Sequence, residues 1–129
     1  MPPLISSPSR WLYLVIVAVA LVSCAGSPYQ TTKRASENKQ NMISLKPDMT
    51  TEQALKLMGQ PDKTEMYRGK SNEAILIYLY ITEGKDSESR RWNESNYTPL
   101  IFVNDRLSGW GWNALDTEAK RFEFLIKER

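Results

Sequence analysis

Ala74-Ile75-Leu76-Ile77-Tyr78-Leu79-Tyr80-Ile81 decides how this chain folds. The run carries no charge, and both of its alternating sets are apolar or aromatic. Ile75, Ile77, Leu79 and Ile81 share one side, and Leu76, Tyr78 and Tyr80 share the other. A strand apolar on both faces is covered on both, which places it in the centre of a sheet. Upstream, Lys63 to Arg68 alternates as a first strand, with Thr64 and Met66 on one face and Glu65 and Tyr67 on the other. Gly69-Lys70-Ser71-Asn72 supplies the turn between the two.

Downstream, Tyr97-Thr98-Pro99-Leu100-Ile101-Phe102-Val103 and Arg106-Leu107-Ser108-Gly109-Trp110-Gly111-Trp112 flank Asn104-Asp105. Asn and Asp tolerate left-handed backbone, so the pair reads as a two-residue hairpin turn. The register follows: Val103 faces Arg106, Phe102 faces Leu107, Ile101 faces Ser108, Leu100 faces Gly109 and Pro99 faces Trp110. Opposed residues share a face. One face then holds Thr98, Leu100, Phe102, Leu107, Gly109 and Gly111, and the other holds Tyr97, Pro99, Ile101, Val103, Trp110 and Trp112.

Thr50 with Gln53 has the capping-box spacing. Ala54, Leu55 and Met58 follow at helical spacing, Gly59 gives a left-handed stop, and Pro61 prevents continuation. A helix this short is unstable alone and must dock on the sheet. The face with two glycines admits it closely, together with Ile75, Ile77 and Leu79. The opposite face then collects Tyr78, Tyr80, Tyr97, Trp110 and Trp112. Left exposed, such a patch is a binding surface; covered by the C-terminal segment, it is core. Both readings stand at this point. In that last segment Leu115, Ala119, Phe122 and Ile126 fit a helix, while Phe122, Phe124 and Ile126 fit a strand. The expectation is a turn of helix after Asp116 and then a strand from Arg121 to Lys127. The polar connection from Thr82 to Asn96 carries Arg90-Arg91-Trp92, a basic-aromatic tip suited to anionic lipid or a partner. A solvated loop is its plainer reading. The fold class is α+β, with short N-terminal helices packed on an antiparallel sheet of three to four strands.

The first part of the chain has a different character. Trp11 to Val22 is unbroken apolar sequence, and Leu21-Val22-Ser23-Cys24 closes it. A membrane span needs about 20 apolar residues, so this run is short for one and the right length for the core of a signal peptide. The four closing residues resemble the lipobox of bacterial lipoproteins. That resemblance implies removal of residues 1–23, lipidation of Cys24, and a periplasmic domain anchored in a membrane. Ala25, rather than aspartate, follows the cysteine, which implies the outer membrane. Residues 24–41 are polar without apolar repeat and read as a flexible tether, its end from Ser36 to about Leu45 forming a short helix. Residues 42–129 are the domain.

Composition narrows the chemistry. The chain has 129 residues, a formal net charge of +2, no histidine and one cysteine. One domain is expected. Without histidine there is no Ser-His-Asp or Cys-His catalysis, and a lone cysteine provides neither a Cys/His metal site nor an intrachain disulfide. No basic stripe points to nucleic acid. No cofactor or metal is expected, and the acidic residues sit on polar stretches that read as solvated surface.

Asp48-Met49-Thr50-Thr51-Glu52-Gln53-Ala54 through Leu57-Met58-Gly59-Gln60-Pro61 resembles the short-helix motif of BamE-like (SmpA/OmlA) lipoproteins. The Tyr97–Phe102 stretch and Gly109-Trp110-Gly111 are similar to uncharacterised lipoproteins of that broader group. Asp48 and Asp105 stand where the family pattern usually has glycine. The resemblance implies two short helices on a small antiparallel sheet. The best-known member is an accessory subunit of the machinery that inserts β-barrels into the outer membrane. The functional expectation is a non-enzymatic, membrane-anchored interaction module with an envelope protein partner. Its contact residues would be Tyr78, Tyr80, Tyr97, Trp110 and Trp112, with Arg90, Arg91 and Trp92. A periplasmic domain binding lipid or a small amphiphile, and a protein inhibitor, are the alternatives.

Overall fold

The computed structural model describes residues 28–84 and 94–126. The expected leader, Cys24, and the Arg90-Arg91-Trp92 tip lie outside these. The described chain has three helices and a four-stranded antiparallel sheet, an α+β fold. In order these are α1 (Pro28–Met42), α2 (Thr51–Met58), β1 (Lys63–Arg68), β2 (Ala74–Ile81), a 3-10 turn (Glu94–Asn96), β3 (Tyr97–Val103), β4 (Arg106–Trp110) and α3 (Trp112–Phe122). The strands lie side by side in chain order, β1-β2-β3-β4.

Local signals act as read. Thr50 Oγ1 accepts from Gln53 N–H at 3.2 Å, and Gln53 Oε1 accepts from Thr50 N–H at 3.0 Å, so both halves of the capping box form. Gly59 turns the chain out of α2 with φ +75°. Asn104 and Asp105 both adopt positive φ, 47° and 66°, in the two-residue turn between β3 and β4. Asn104 is fixed further: its N–H donates to Ala74 O at 2.9 Å, and its Oδ1 accepts from Ala74 N–H at 3.0 Å.

The faces are assembled differently from the expectation. β2 pairs with β3 so that Leu76 opposes Phe102, Tyr78 opposes Leu100 and Ile77 opposes Ile101. The tyrosine side of β2, not its isoleucine side, therefore joins Leu100, Phe102 and Leu107 beneath Ala54 and Met58 of α2. Ile75, Ile77, Leu79 and Ile81 lie on the other face with Tyr97 and Ile101, under Ala35 of α1, Leu115 of α3 and Phe124. The connection from β2 to β3 is long, and a long connection fixes no parity. A slip of one residue exchanges every side chain between faces.

A second departure is local. After Phe102↔Leu107 the β3–β4 register shifts, so Ile101 opposes Gly109 and Leu100 opposes Trp110. The bulge inserts Ser108 and moves Trp110 onto the α2 side. Gly109 now faces α3, where an added Cβ would stand 3.2 Å from Ala114 Cβ. A glycine does admit a helix closely, but the helix is α3.

Two segment readings are corrected. The helix expected from Ser36 to about Leu45 begins earlier and ends earlier, at Pro28 and Met42, so residues 28–35 are helical where the sequence reads as a flexible tether. Among residues 32–42 the buried positions of α1 are Ala35 and Asn38, a methyl and an amide, so no apolar stripe announces them. Polar bonds dock this helix instead. Asn38 Nδ2 donates to Ile81 O at 2.8 Å, and the Arg34 guanidinium meets Asp62 at 3.1 Å and Gln60 O at 3.2 Å. At the C-terminus the helical spacing of Leu115 and Ala119 prevails over alternation, and α3 runs to Phe122 where a strand from Arg121 was expected. Glu123 adopts φ 51°, and Phe124 N–H donates back to Ala119 O at 3.2 Å. That backward bond is the Schellman ending of a helix, and it folds Phe124 down onto the core. Phe124 meets the Tyr67 ring at 5.3 Å.

Candidate interaction surface

The expected aromatic face does not assemble. Tyr80 is fully buried. Its hydroxyl donates to Gly59 O at 2.9 Å, which ties β2 to the end of α2. Burial pushes its phenol pKa well above the ordinary tyrosine value, aided by the neighbouring Tyr78 and Asp62. Tyr78 is half-buried and packs edge-on against Phe102, with ring centroids 5.2 Å apart at 62°. Both sit on the α2 side. Tyr97 is buried on the opposite side, with the Lys63 ammonium 4.5 Å above its ring. Trp112 opens α3, and its indole N–H donates to Tyr97 O at 2.9 Å. Trp110 alone of the five stays substantially open, at 37% exposure. These rings are divided between two cores because the β2–β3 parity is opposite to the one expected. The expected Arg90, Arg91 and Trp92 contacts fall outside the described residues.

A different surface replaces that face. α2 covers the β3–β4 half of its side of the sheet. The β1 half is left open, and Met66 on β1 is 77% exposed. An apolar groove of about 300 Å³ runs there, lined by Met66, Tyr67, Ala74, Ile75 and Leu76, with Arg68 at its rim. Thr51 and Asp105, hydrogen-bonded to each other, close one end. The sequence placed Met66 on a strand but gave no reason to single it out. Its mixed neighbours Lys63, Thr64, Glu65 and Arg68 are the sign of an edge strand, and an exposed methionine on an edge is a candidate for contact.

The second cleft is polar. It lies between α1 and the end of α2, is about 370 Å³, and is lined by Lys33, Arg34, Glu37, Asn38 and Gln60 among others. Its charges are already used. Lys33 pairs with Glu37, Arg34 with Asp62, and Asn38 with the backbone. Among the described residues no three Asp, Glu, His or Cys side chains gather where one metal ion would reach them. No described helix is long and apolar enough to cross a membrane.

The model of one protein family, described as "Protein of unknown function (DUF3192)", matches residues 16–117, roughly four-fifths of the chain. No curated protein and no solved structure matches it.

Proposed function

The chain belongs to the DUF3192 family, and we propose that it is a lipid-anchored, non-enzymatic interaction module on the periplasmic face of the outer membrane, engaged with an envelope protein. The observation that carries this reading is the apolar run Trp11–Val22 closed by Leu21-Val22-Ser23-Cys24; the short spacing from Cys24 to α1 then says how the body would be held. The helix starts at Pro28, four residues after the cysteine. Four extended residues span at most about 14 Å. Arg34 and Asn38 lock that helix onto the sheet. An acylated Cys24 would be joined to a rigid body close to its leaflet, not to a domain on a long leash. Each buried methylene contributes about 0.8 kcal/mol, so three acyl chains would make the attachment effectively permanent. The body would then meet partners by diffusion in two dimensions.

The BamE-like likeness belongs to the same proposal. It is supported by the capped helix Thr51–Met58, its Gly59 stop and Pro61, and the antiparallel sheet on which it packs. Binding of a small amphiphile behind Tyr78 and Trp110 is the less favoured reading. Phe102 and Tyr80 are fully buried there, and side chains occupy the space such a ligand would need.

The test compares the wild-type chain with Cys24→Ala by membrane fractionation, detergent-phase partitioning and mass of the mature N-terminus. A wild type in the outer-membrane fraction, cut before Cys24 and carrying the mass of acyl chains, is the expected result. Cross-linking in membranes should then recover a defined envelope protein. An unmodified wild type in the aqueous phase would overturn the anchor.

A further inference from the structure

The two edges of the sheet are treated differently. At β4 the outward groups of Leu107 are taken. Asp48 N–H donates to Leu107 O at 2.9 Å, Leu107 N–H donates to Met49 O at 2.7 Å, and Thr50 bridges to Arg106. At β1, among the described residues, no backbone bond forms on the outer side.

Which β1 groups point outward follows from alternation. In an antiparallel ladder each strand turns its N–H and C=O groups first to one neighbour, then to the other. Asn104 N–H donates to Ala74 O, and Thr82 N–H donates to Asn96 O, so the even-numbered residues of β2 bond toward β3. Its odd-numbered residues bond toward β1, where they meet Lys63, Glu65 and Tyr67. Gly69 N–H donating to Glu73 O at 3.0 Å continues that pattern past Arg68. The backbone groups of Thr64, Met66 and Arg68 therefore face away from the sheet.

We propose that β1 is a self-association edge: two copies of the chain pair through antiparallel β1 strands about a two-fold axis passing between their Met66 residues. Self-pairing about an axis perpendicular to the sheet opposes residues of like parity, so few registers are allowed. With Met66 on the axis, Thr64 faces Arg68 of the second copy and Arg68 faces its Thr64. All three outward residues of each strand then lie in hydrogen-bonded pairs. Glu65 faces Tyr67 of the other copy, and Lys63 faces its Gly69. No like charges meet. With Glu65 on the axis, two carboxylates oppose each other, which is destabilising. With Tyr67 on the axis, Thr64 loses its partner and the ladder shortens.

The side chains support the same register. Met66 pairs with Leu76 across β1–β2 on the open half of the sheet. Pairing about Met66 lines up Leu76, Met66 and their two symmetry mates in one apolar row, and removes from water the most exposed side chain of that strand. A six-residue edge lies at the small end of protein interfaces, so the association is weak and reversible. It does not depend on whether Cys24 carries lipid.

The experiment is analytical ultracentrifugation of the full chain in detergent across the micromolar range. The wild type is expected to show a monomer–dimer equilibrium. Met66→Lys places two ammonium groups on the axis, and Met66→Pro deletes an outward donor. Each is expected to weaken the dimer by about tenfold or more. Met66→Lys, at a solvent-exposed site, should leave the melting temperature unchanged. In membranes, Met66→Cys is expected to cross-link to itself through a short bis-maleimide. Thr64→Cys, whose copies lie roughly 14 Å apart in this register, is not. The wild-type chain treated alike measures any reaction at Cys24. A wild type monomeric throughout, a dimer indifferent to both Met66 substitutions, or equal cross-linking at the two cysteines would overturn the proposal. So would cross-linking of Met66→Cys only to a different protein, which would give the edge to a strand of another chain.

Discussion

The side-chain amide of Asn38 donates to the main-chain carbonyl of Ile81 at 2.8 Å, and both residues are buried. Ile81 ends β2, and its own N–H is held at 2.8 Å by Asp62, the carboxylate that also pairs with Arg34. Two residues one turn apart on α1 thus grip the two polar groups of one strand terminus. Ala35 between them buries only a methyl, so these bonds fix that turn of the helix.

Asn38→Ala is expected to destabilise the fold by about 1–3 kcal/mol, because the Ile81 carbonyl stays buried without its donor. Asn38→Leu should cost as much despite its larger apolar surface. Denaturant melts give the magnitude, and amide exchange should show residues 28–42 opening first. A stabilising Asn38→Leu would mean that packing alone seats α1.

Stability should fall in alkali through Tyr80. Its folded pKa is raised, chiefly by burial. The neutral phenol therefore contributes stability that is complete below the unfolded value near pH 10 and is lost as pH rises beyond it toward the folded value. Tyr80→Phe removes the bond to Gly59 and should cost about 1 kcal/mol at neutral pH. The variant should also show a shallower decline above pH 10. Melts from pH 7 to 11 would reveal it, and identical slopes in the two proteins would refute it.

Glu118 is buried on α3, and its Oε2 has no hydrogen-bond partner among the described residues. Its other oxygen lies 3.8 Å from Arg121, a solvent-exposed partner. An apolar replacement of a poorly compensated buried carboxylate is commonly neutral or stabilising. Glu118→Leu is expected to raise stability by about 1–3 kcal/mol. Arg121→Ala should change it by less than about 0.5 kcal/mol, since exposed pairs contribute little. Chemical denaturation of both variants decides the matter.

The two glycines beside Trp110 should fail for different reasons. Gly111 has φ +92° and open space where a Cβ would go, so Gly111→Ala is penalised by backbone alone, about 1–3 kcal/mol. Gly109→Ala meets Ala114 at 3.2 Å, a contact that must yield. Ala114→Gly should relieve Gly109→Ala and leave Gly111→Ala untouched. A double-mutant cycle measures that coupling directly.

Chemistry confined to neighbouring residues was legible in the sequence. Thr50 with Gln53, Asn104 with Asp105, and the alternation of Lys63 to Arg68 each named its element, because the interacting groups lie within a few positions. The relation of β2 to β3 was not legible, since it is set across the whole connection from Thr82 to Asn96. That parity decided the fate of Tyr78, Tyr80, Tyr97 and Trp112, so the aromatic site expected from them dissolved into two cores. The Ser108 bulge moved Trp110 for a reason equally hidden from pairwise counting. Only the end of α1, from Ser36, was legible, because the residues that dock its earlier turns, Arg34 and Asn38, are hydrophilic. Met66 gained meaning only once β1 proved to be an edge.

The strip from Asp48 to Thr50 laid along β4 has a further effect. A sheet with both margins open can add neighbours without limit and grow into a fibril. A sheet sealed on one margin can join a single mate and must then stop. At high local concentration, that blocked flank would make pairing a terminal event and protect the molecule from runaway polymerisation.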